Sequence, residues 1–191
     1  IYGKEGSGIC EELGYQDEVD IVQGTFAKAY GVIGGYIASK HEIIDSIRCY
    51  SPGFIFTTSL PPAIAEAILC SIKYLRKSDL ERDKLKDIVS LLKSKLNDKG
   101  IKFLQNETHI ISVMINDATL CQKVYTDLLR NHNVYVQGIN FPTVPKGQER
   151  LRITANPFHT EEMVNDFVDA LCTVLTKYNI YDLTHKKISF G

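Results

Sequence analysis

A lysine attacks a carbonyl only as the free amine, so its surroundings decide whether it does chemistry. Lys28 lies in Gly24-Thr25-Phe26-Ala27-Lys28-Ala29-Tyr30-Gly31, flanked by small residues and glycines between two apolar stretches. A lone loop lysine is ordinarily solvated surface. This setting instead predicts a partly desolvated ammonium, the condition for a Schiff-base lysine. Thr25, three residues upstream, offers a hydroxyl able to donate to a phosphate. A dinucleotide-binding reading of the glycines fails. Gly31-Val32-Ile33-Gly34-Gly35 lacks the G-x-G-x-x-G spacing and opens a strand rather than a helix.

Arg150 and Arg152 stand two apart in Glu149-Arg150-Leu151-Arg152-Ile153-Thr154, so strand geometry puts both on one face. Either guanidinium could hold a carboxylate through two parallel hydrogen bonds, and either could equally be an exposed ion pair. Thr57-Thr58 reads as β-propensity at a strand end. Thr143, between Pro142 and Pro145, reads as a turn hydroxyl, and Tyr30 as packing. His109, His132, His159 and His185 are dispersed without ligand spacing, so no metal centre is expected. The five cysteines are scattered with no C-x-x-C, which argues against a disulfide framework and for a reducing compartment. Cys49 and Cys70 read as small apolar fillers of helices.

The chain that must position these residues has 191 residues, 44% apolar and 24% charged, an ordinary globular composition. With 22 Lys+Arg against 23 Asp+Glu the formal charge is −1, which argues against a dedicated nucleic-acid or acidic-membrane surface. The apolar stretches fall far short of a membrane span, and no export signal follows Ile1. The absence of an initiating Met hints that the sequence begins within a longer protein.

Strands are expected over 19–22 and 32–38 around the lysine loop, then a helix over 41–49 and an extended run over 54–58. Pro61-Pro62 opens a helix over 63–76. Ser78-Asp79-Leu80-Glu81 has the capping-box pattern with Ser78 as N-cap, and behind it Leu85, Ile88, Val89, Leu92 and Leu96 form one apolar stripe. Gly100 is the expected stop. Strands over 110–115, 134–136 and 151–155 then alternate with helices over 120–130 and 161–177, before a polar tail over 179–191. That alternation predicts a second domain of α/β or α+β type after about residue 76.

Three ordered blocks carry a family resemblance. The first is Gly24 to Gly31 running into Gly34-Gly35-Tyr36-Ile37. The second is Ser51-Pro52-Gly53-Phe54-Ile55-Phe56-Thr57-Thr58-Ser59-Leu60-Pro61-Pro62. The third is Asn140-Phe141-Pro142-Thr143-Val144-Pro145-Lys146-Gly147, leading into Glu149-Arg150-Leu151-Arg152-Ile153-Thr154. Together they resemble the α-oxoamine synthases, fold-type-I enzymes of pyridoxal 5′-phosphate (PLP) that join an amino acid to an acyl-CoA thioester.

The resemblance implies an α/β fold, with the C-terminal edge of the PLP-binding large domain over 1–76 and a small C-terminal domain over 77–191. It implies PLP as cofactor, covalently held by the catalytic Lys28, with Thr25 on its phosphate. Thr57 and Thr58 correspond to a phosphate contact from the neighbouring subunit of a homodimer whose active site lies at the subunit interface. Arg152 corresponds to the arginine that holds the amino-acid carboxylate, and Thr143 to a residue near the carboxylate of a succinyl group.

In detail the blocks are most similar to the branch that condenses glycine with succinyl-CoA, releasing CoA and carbon dioxide at the entry to tetrapyrrole and haem synthesis. Sister branches use glycine with acetyl-CoA or alanine with pimeloyl-CoA. The family builds most of its large domain upstream of the lysine, including an Asp for the pyridine nitrogen and a His that stacks on the ring. The chain is therefore expected to be a C-terminal portion, inactive alone; a non-catalytic truncated remnant is the reading from another class. The expected compartment is the bacterial cytoplasm, or the mitochondrial matrix in a eukaryote.

Overall fold

Glycines, prolines and a few buried anchors shape the first part of the chain more than any core does. The computed structural model describes residues 1–180, so His185 and most of the expected tail lie outside the described residues. The chain divides into two compact units between Leu80 and Glu81. In the first, a 3-10 turn (Lys4–Gly6) and α1 (Ile9–Glu12) precede an antiparallel hairpin of β1 (Ile21–Thr25) and β2 (Gly35–Ser39). The register pairs Gly24 with Tyr36 and Thr25 with Gly35. Both strands start later than the apolar pattern suggests. The Val32 N–H donates to the Phe26 carbonyl at 2.9 Å, which commits residues 26–34 to a closed loop.

α2 (His41–Tyr50), α3 (Pro52–Ile55) and α4 (Pro62–Lys77) complete the unit. The extended run expected over 54–58 is not observed at its start. Pro52 holds the first helical position, and the Ser51 carbonyl accepts from the Phe54 and Ile55 N–H groups at 3.0 and 2.9 Å. A short helical turn thereby overrides the β-propensity of Phe54 and Ile55. The unit buries little. Phe26 and Ile68 are its buried apolar residues, whereas Ile21, Val22, Ile37, Tyr50, Phe54 and Phe56 are exposed. Cys49 and Cys70 are exposed as well, so they are not the apolar fillers their helical positions suggest.

The second unit holds the core. α5 (Leu80–Asp98) begins two residues after Ser78. Its stripe is buried at Leu85, Leu92 and Leu96, and Gly100 (φ +70°) ends it while the Ile101 N–H returns to the Leu96 carbonyl. β3 (Ile110–Met114), α6 (Ala118–His132), β4 (Gln137–Ile139), β5 (Arg150–Thr154) and α7 (Glu161–Lys177) follow. The antiparallel sheet has the order β3-β5-β4.

Asp117 caps α6 by accepting from the Leu120 N–H at 2.7 Å, and Thr160 caps α7 by accepting from Met163 at 3.2 Å. The strand expected over 134–136 forms instead at Gln137–Ile139. Asn133 in the left-handed conformation ends α6 and Val134 N–H donates to the Leu128 carbonyl, so Val134 serves the helix cap.

Alternation along β5 decides what faces the core. Leu151 and Ile153 point inward with Ile111 and Val113 of β3, packing with Leu96, Leu128, Leu171 and Val174 of the three long helices. Arg150, Arg152 and Thr154 take the opposite, outer face. Among the described residues no helix is long and apolar enough to cross a membrane.

Candidate active site

The loop that carries Lys28 is built around one buried ring. Phe26 packs edge-on to Tyr30 at 5.4 Å between centroids and tilted against Tyr36 at 5.2 Å. The Phe26 N–H donates to the Gly34 carbonyl, and the Gly31 N–H to the Lys28 carbonyl, each at 2.9 Å. Gly31 and Gly34 have φ of +69° and +118°, values that favour glycine. From α4 the Ser71 hydroxyl donates to the Tyr30 carbonyl at 3.0 Å. Burial, then the neighbouring Tyr36 phenol, raises the Tyr30 phenol above its ordinary value. Tyr30 is thus packing, as its sequence position suggests.

Lys28 projects from this braced loop into solvent, and its amine has no partner among the described residues. The desolvation expected from its small neighbours does not occur within this chain. Thr25 closes β1, where its hydroxyl accepts from the Ala27 N–H at 3.2 Å and reaches the Gly34 carbonyl at 3.4 Å. Both contacts are long and exposed, which leaves the hydroxyl available to a phosphate. Thr57 and Thr58 follow the α3 turn and are exposed. Leu60, two residues beyond Thr58, lies beside Gly34 at the base of the lysine loop, where a Cβ on Gly34 would come within 3.4 Å of it. The Lys28 amine and the Thr25 hydroxyl on one glycine-rich hairpin fit an aldehyde-bearing phosphate ester such as PLP.

In the second unit the two arginines part company. The Arg150 Nε donates to the Gln148 carbonyl at 2.9 Å and its guanidinium also reaches the Gln148 side chain at 3.3 Å. The Arg152 side chain, on a residue facing Ser112 across β3 and Gln137 across β4, makes no hydrogen bond or ion pair among the described residues. It lines a cleft of about 520 Å³ together with His132, Val136, Thr154, His159 and Phe167. Burial, with the Arg152 charge adding to it, lowers His109 below the ordinary histidine value. Among the described residues no group of three or more His, Cys, Asp or Glu could hold a metal ion.

Thr143 sits exposed in the loop from Asn140 to Glu149 that joins β4 to β5. Its N–H donates to the Asn140 carbonyl at 3.0 Å. Two residues of this loop escape a motif reading. Asn140 Oδ1 is buried without a hydrogen-bond partner among the described residues. Glu149 is only 3% exposed. Its signal is parity: Glu149 shares the inward set of Leu151 and Ile153. Lys28, Thr25, Thr57 and Thr58 thus belong to the first unit, and Arg152 and Thr143 to the second.

The lysine hairpin and the sheet that carries Arg152 both fall within a single family match. The chain belongs to the family described as aminotransferase class I and II, whose model matches residues 1–171. It is similar to 5-aminolevulinate synthase of Rickettsia bellii, with 51% identity over 180 residues, 94% of this chain and 44% of that protein. The mitochondrial 5-aminolevulinate synthase of Schizosaccharomyces pombe is 46% identical over 182 residues, 94% of this chain and 33% of that protein. The chain therefore spans less than half the length of these relatives. Its fold is similar to part of SPT, serine palmitoyltransferase, solved with its PLP internal aldimine (TM-score 0.86, 26% identity, 94% of this chain and 46% of that one).

Proposed function

We propose that this chain is the C-terminal part of a PLP-dependent acyltransferase that condenses glycine with succinyl-CoA to give 5-aminolevulinate, CoA and carbon dioxide. One observation carries the reading. The two side chains the chemistry needs, the Lys28 amine and the Arg152 guanidinium, are both exposed and without internal partners among the described residues, while neighbouring Arg150 is engaged. The similarity to 5-aminolevulinate synthases supports this substrate pair over those of the sister branches.

Lys28 Nζ would hold PLP covalently, and as a free amine it would move the glycine α-proton. PLP, when bound, supplies an electron sink for the glycine α-carbon. Thr25 would donate to the cofactor phosphate, and Thr57 and Thr58 to that of the neighbouring subunit in a homodimer. Arg152 holds the glycine carboxylate with paired charge-assisted hydrogen bonds, fixing which α-bond is presented for reaction. Thr143 lies near the distal carboxylate of the succinyl group. The first unit is then the C-terminal edge of the PLP-binding domain and the second the small domain, in a protein of the bacterial cytoplasm or the mitochondrial matrix.

The test is an assay of the full-length protein with three substrate pairs: glycine and succinyl-CoA, glycine and acetyl-CoA, alanine and pimeloyl-CoA. Aminolevulinate from the first pair, at a rate well above product from the other two, is the expected result. Turnover confined to either other pair moves the protein to a sister activity, and no turnover with any pair favours a non-catalytic remnant.

A further inference from the structure

A buried carboxylate without a cationic partner is costly, so its retention needs a reason. Glu149 is 3% exposed and makes no ion pair among the described residues. Its Oε2 accepts from the Gly147 N–H at 2.9 Å. Its own backbone is fixed from the other side, since its carbonyl accepts from the N–H groups of Ile115 and Asn116, each at 2.9 Å. The two residues after β3 therefore hold Glu149, and the Glu149 side chain holds Gly147.

Gly147 is the pivot of the loop. Its φ of +81° and the Gln148 N–H to Pro145 carbonyl bond at 3.1 Å define a turn over residues 145–148 that demands glycine at its third place. The turn before it, in which Thr143 and Val144 N–H groups meet the Asn140 carbonyl, carries Thr143. Lys146 Nζ lies 5.4 Å over the Phe141 ring and couples the two turns. The loop is otherwise exposed at Phe141, Pro142, Thr143 and Pro145.

We propose that Glu149 is a positioning residue for acyl-group selectivity: its buried carboxylate, through the Gly147 N–H, sets the loop that presents Thr143. The inference rests on the reading of Thr143 as the residue near the distal carboxylate of the acyl group. Length is the requirement on the side chain. Glutamine can accept the same hydrogen bond, aspartate is one methylene too short to reach, and alanine has no acceptor.

The experiment uses the full-length protein with Glu149→Gln, Glu149→Asp, Glu149→Ala and, as reference, Thr143→Val. The readouts are the ratio of kcat/KM for succinyl-CoA over butyryl-CoA, the glycine KM and the Tm. Loss of one loop-fixing hydrogen bond is expected to lower the ratio roughly fivefold in the Asp and Ala variants, with the ratio restored in Gln and the glycine KM unmoved. A merely structural Glu149 would lower Tm in the Asp and Ala variants without moving the ratio, and that result overturns the inference. An unchanged ratio in Thr143→Val removes the underlying reading of Thr143, and the inference with it. Should the Ala and Asp variants not fold, amide exchange on the unmodified protein decides. Protection at Gly147 relative to Lys146, whose N–H is unpaired among the described residues, is expected. Equal exchange at the two amides overturns the inference.

Discussion

Arg152→Leu should cripple glycine recognition and leave the fold intact. The Arg152 side chain is exposed on the outer face of β5 and has no internal hydrogen bond or ion pair among the described residues, so its removal breaks nothing in the chain. A surface change of that kind moves stability by no more than about 0.5 kcal/mol. The loss falls on the ligand. A pair of charge-assisted hydrogen bonds to a carboxylate is worth about 2–3 kcal/mol, which corresponds to a glycine KM raised about 30- to 150-fold. Arg150→Leu is the matched control, because that guanidinium is already spent on Gln148 at 2.9 and 3.3 Å. It should shift glycine KM little. The assay is steady-state turnover of the full-length protein with glycine varied at saturating succinyl-CoA, with bound PLP followed by its absorbance. The reverse order of the two variants, or an unchanged KM in Arg152→Leu, refutes the assignment.

Three further outcomes follow from packing and charge. A Cβ at Gly24 would collide with the Tyr36 ring and stand 2.6 Å from its hydroxyl, so Gly24→Ala should push the ring off Phe26, destabilise the lysine hairpin by about 1–3 kcal/mol and weaken PLP retention in the full-length protein, read by dialysis and absorbance. Asp127, 6% exposed and bonded to Lys177 at 2.6 Å and Asn131 at 2.5 Å, is held by those partners at a pKa of about 2 against an ordinary 3.8. Its stabilising contribution is complete above about pH 4 and lost as pH falls toward 2, so Asp127→Asn should flatten the acid limb of Tm against pH. Burial pushes the Cys121 thiol up to about 11, so alkylation of the native protein at pH 8 should label exposed Cys49 and Cys70 and spare Cys121.

How far the sequence reaches depends on how local each cause is. α7 was legible to the residue at both ends, because Thr160 caps it and a continuous apolar stripe runs to Lys177. Gly100 announced the end of α5 for the same reason. The pairing of Arg150 and Arg152 on one face follows from strand geometry, yet which one is free depends on where Gln148 folds back, and spacing does not contain that. Elements were misread where a backbone hydrogen bond outbid side-chain propensity, at Ser51 for residues 54–55 and at Leu128 for Val134. Burial was the least legible quantity. Lys28, Cys49 and Cys70 sit among apolar neighbours in sequence, but their unit packs around little more than Phe26 and Ile68. Glu149 was overlooked because it adjoins polar loop residues, although alternation with Leu151 and Ile153 places it inward.

The central claim is that Lys28 holds the cofactor. Borohydride reduction of the full-length protein with PLP, followed by proteolysis and mass spectrometry, tests it most directly. A phosphopyridoxyl group is expected on the peptide containing Lys28, and both it and turnover should be lost in Lys28→Ala. A label on any other lysine, or a reducible adduct persisting in Lys28→Ala, would contradict it.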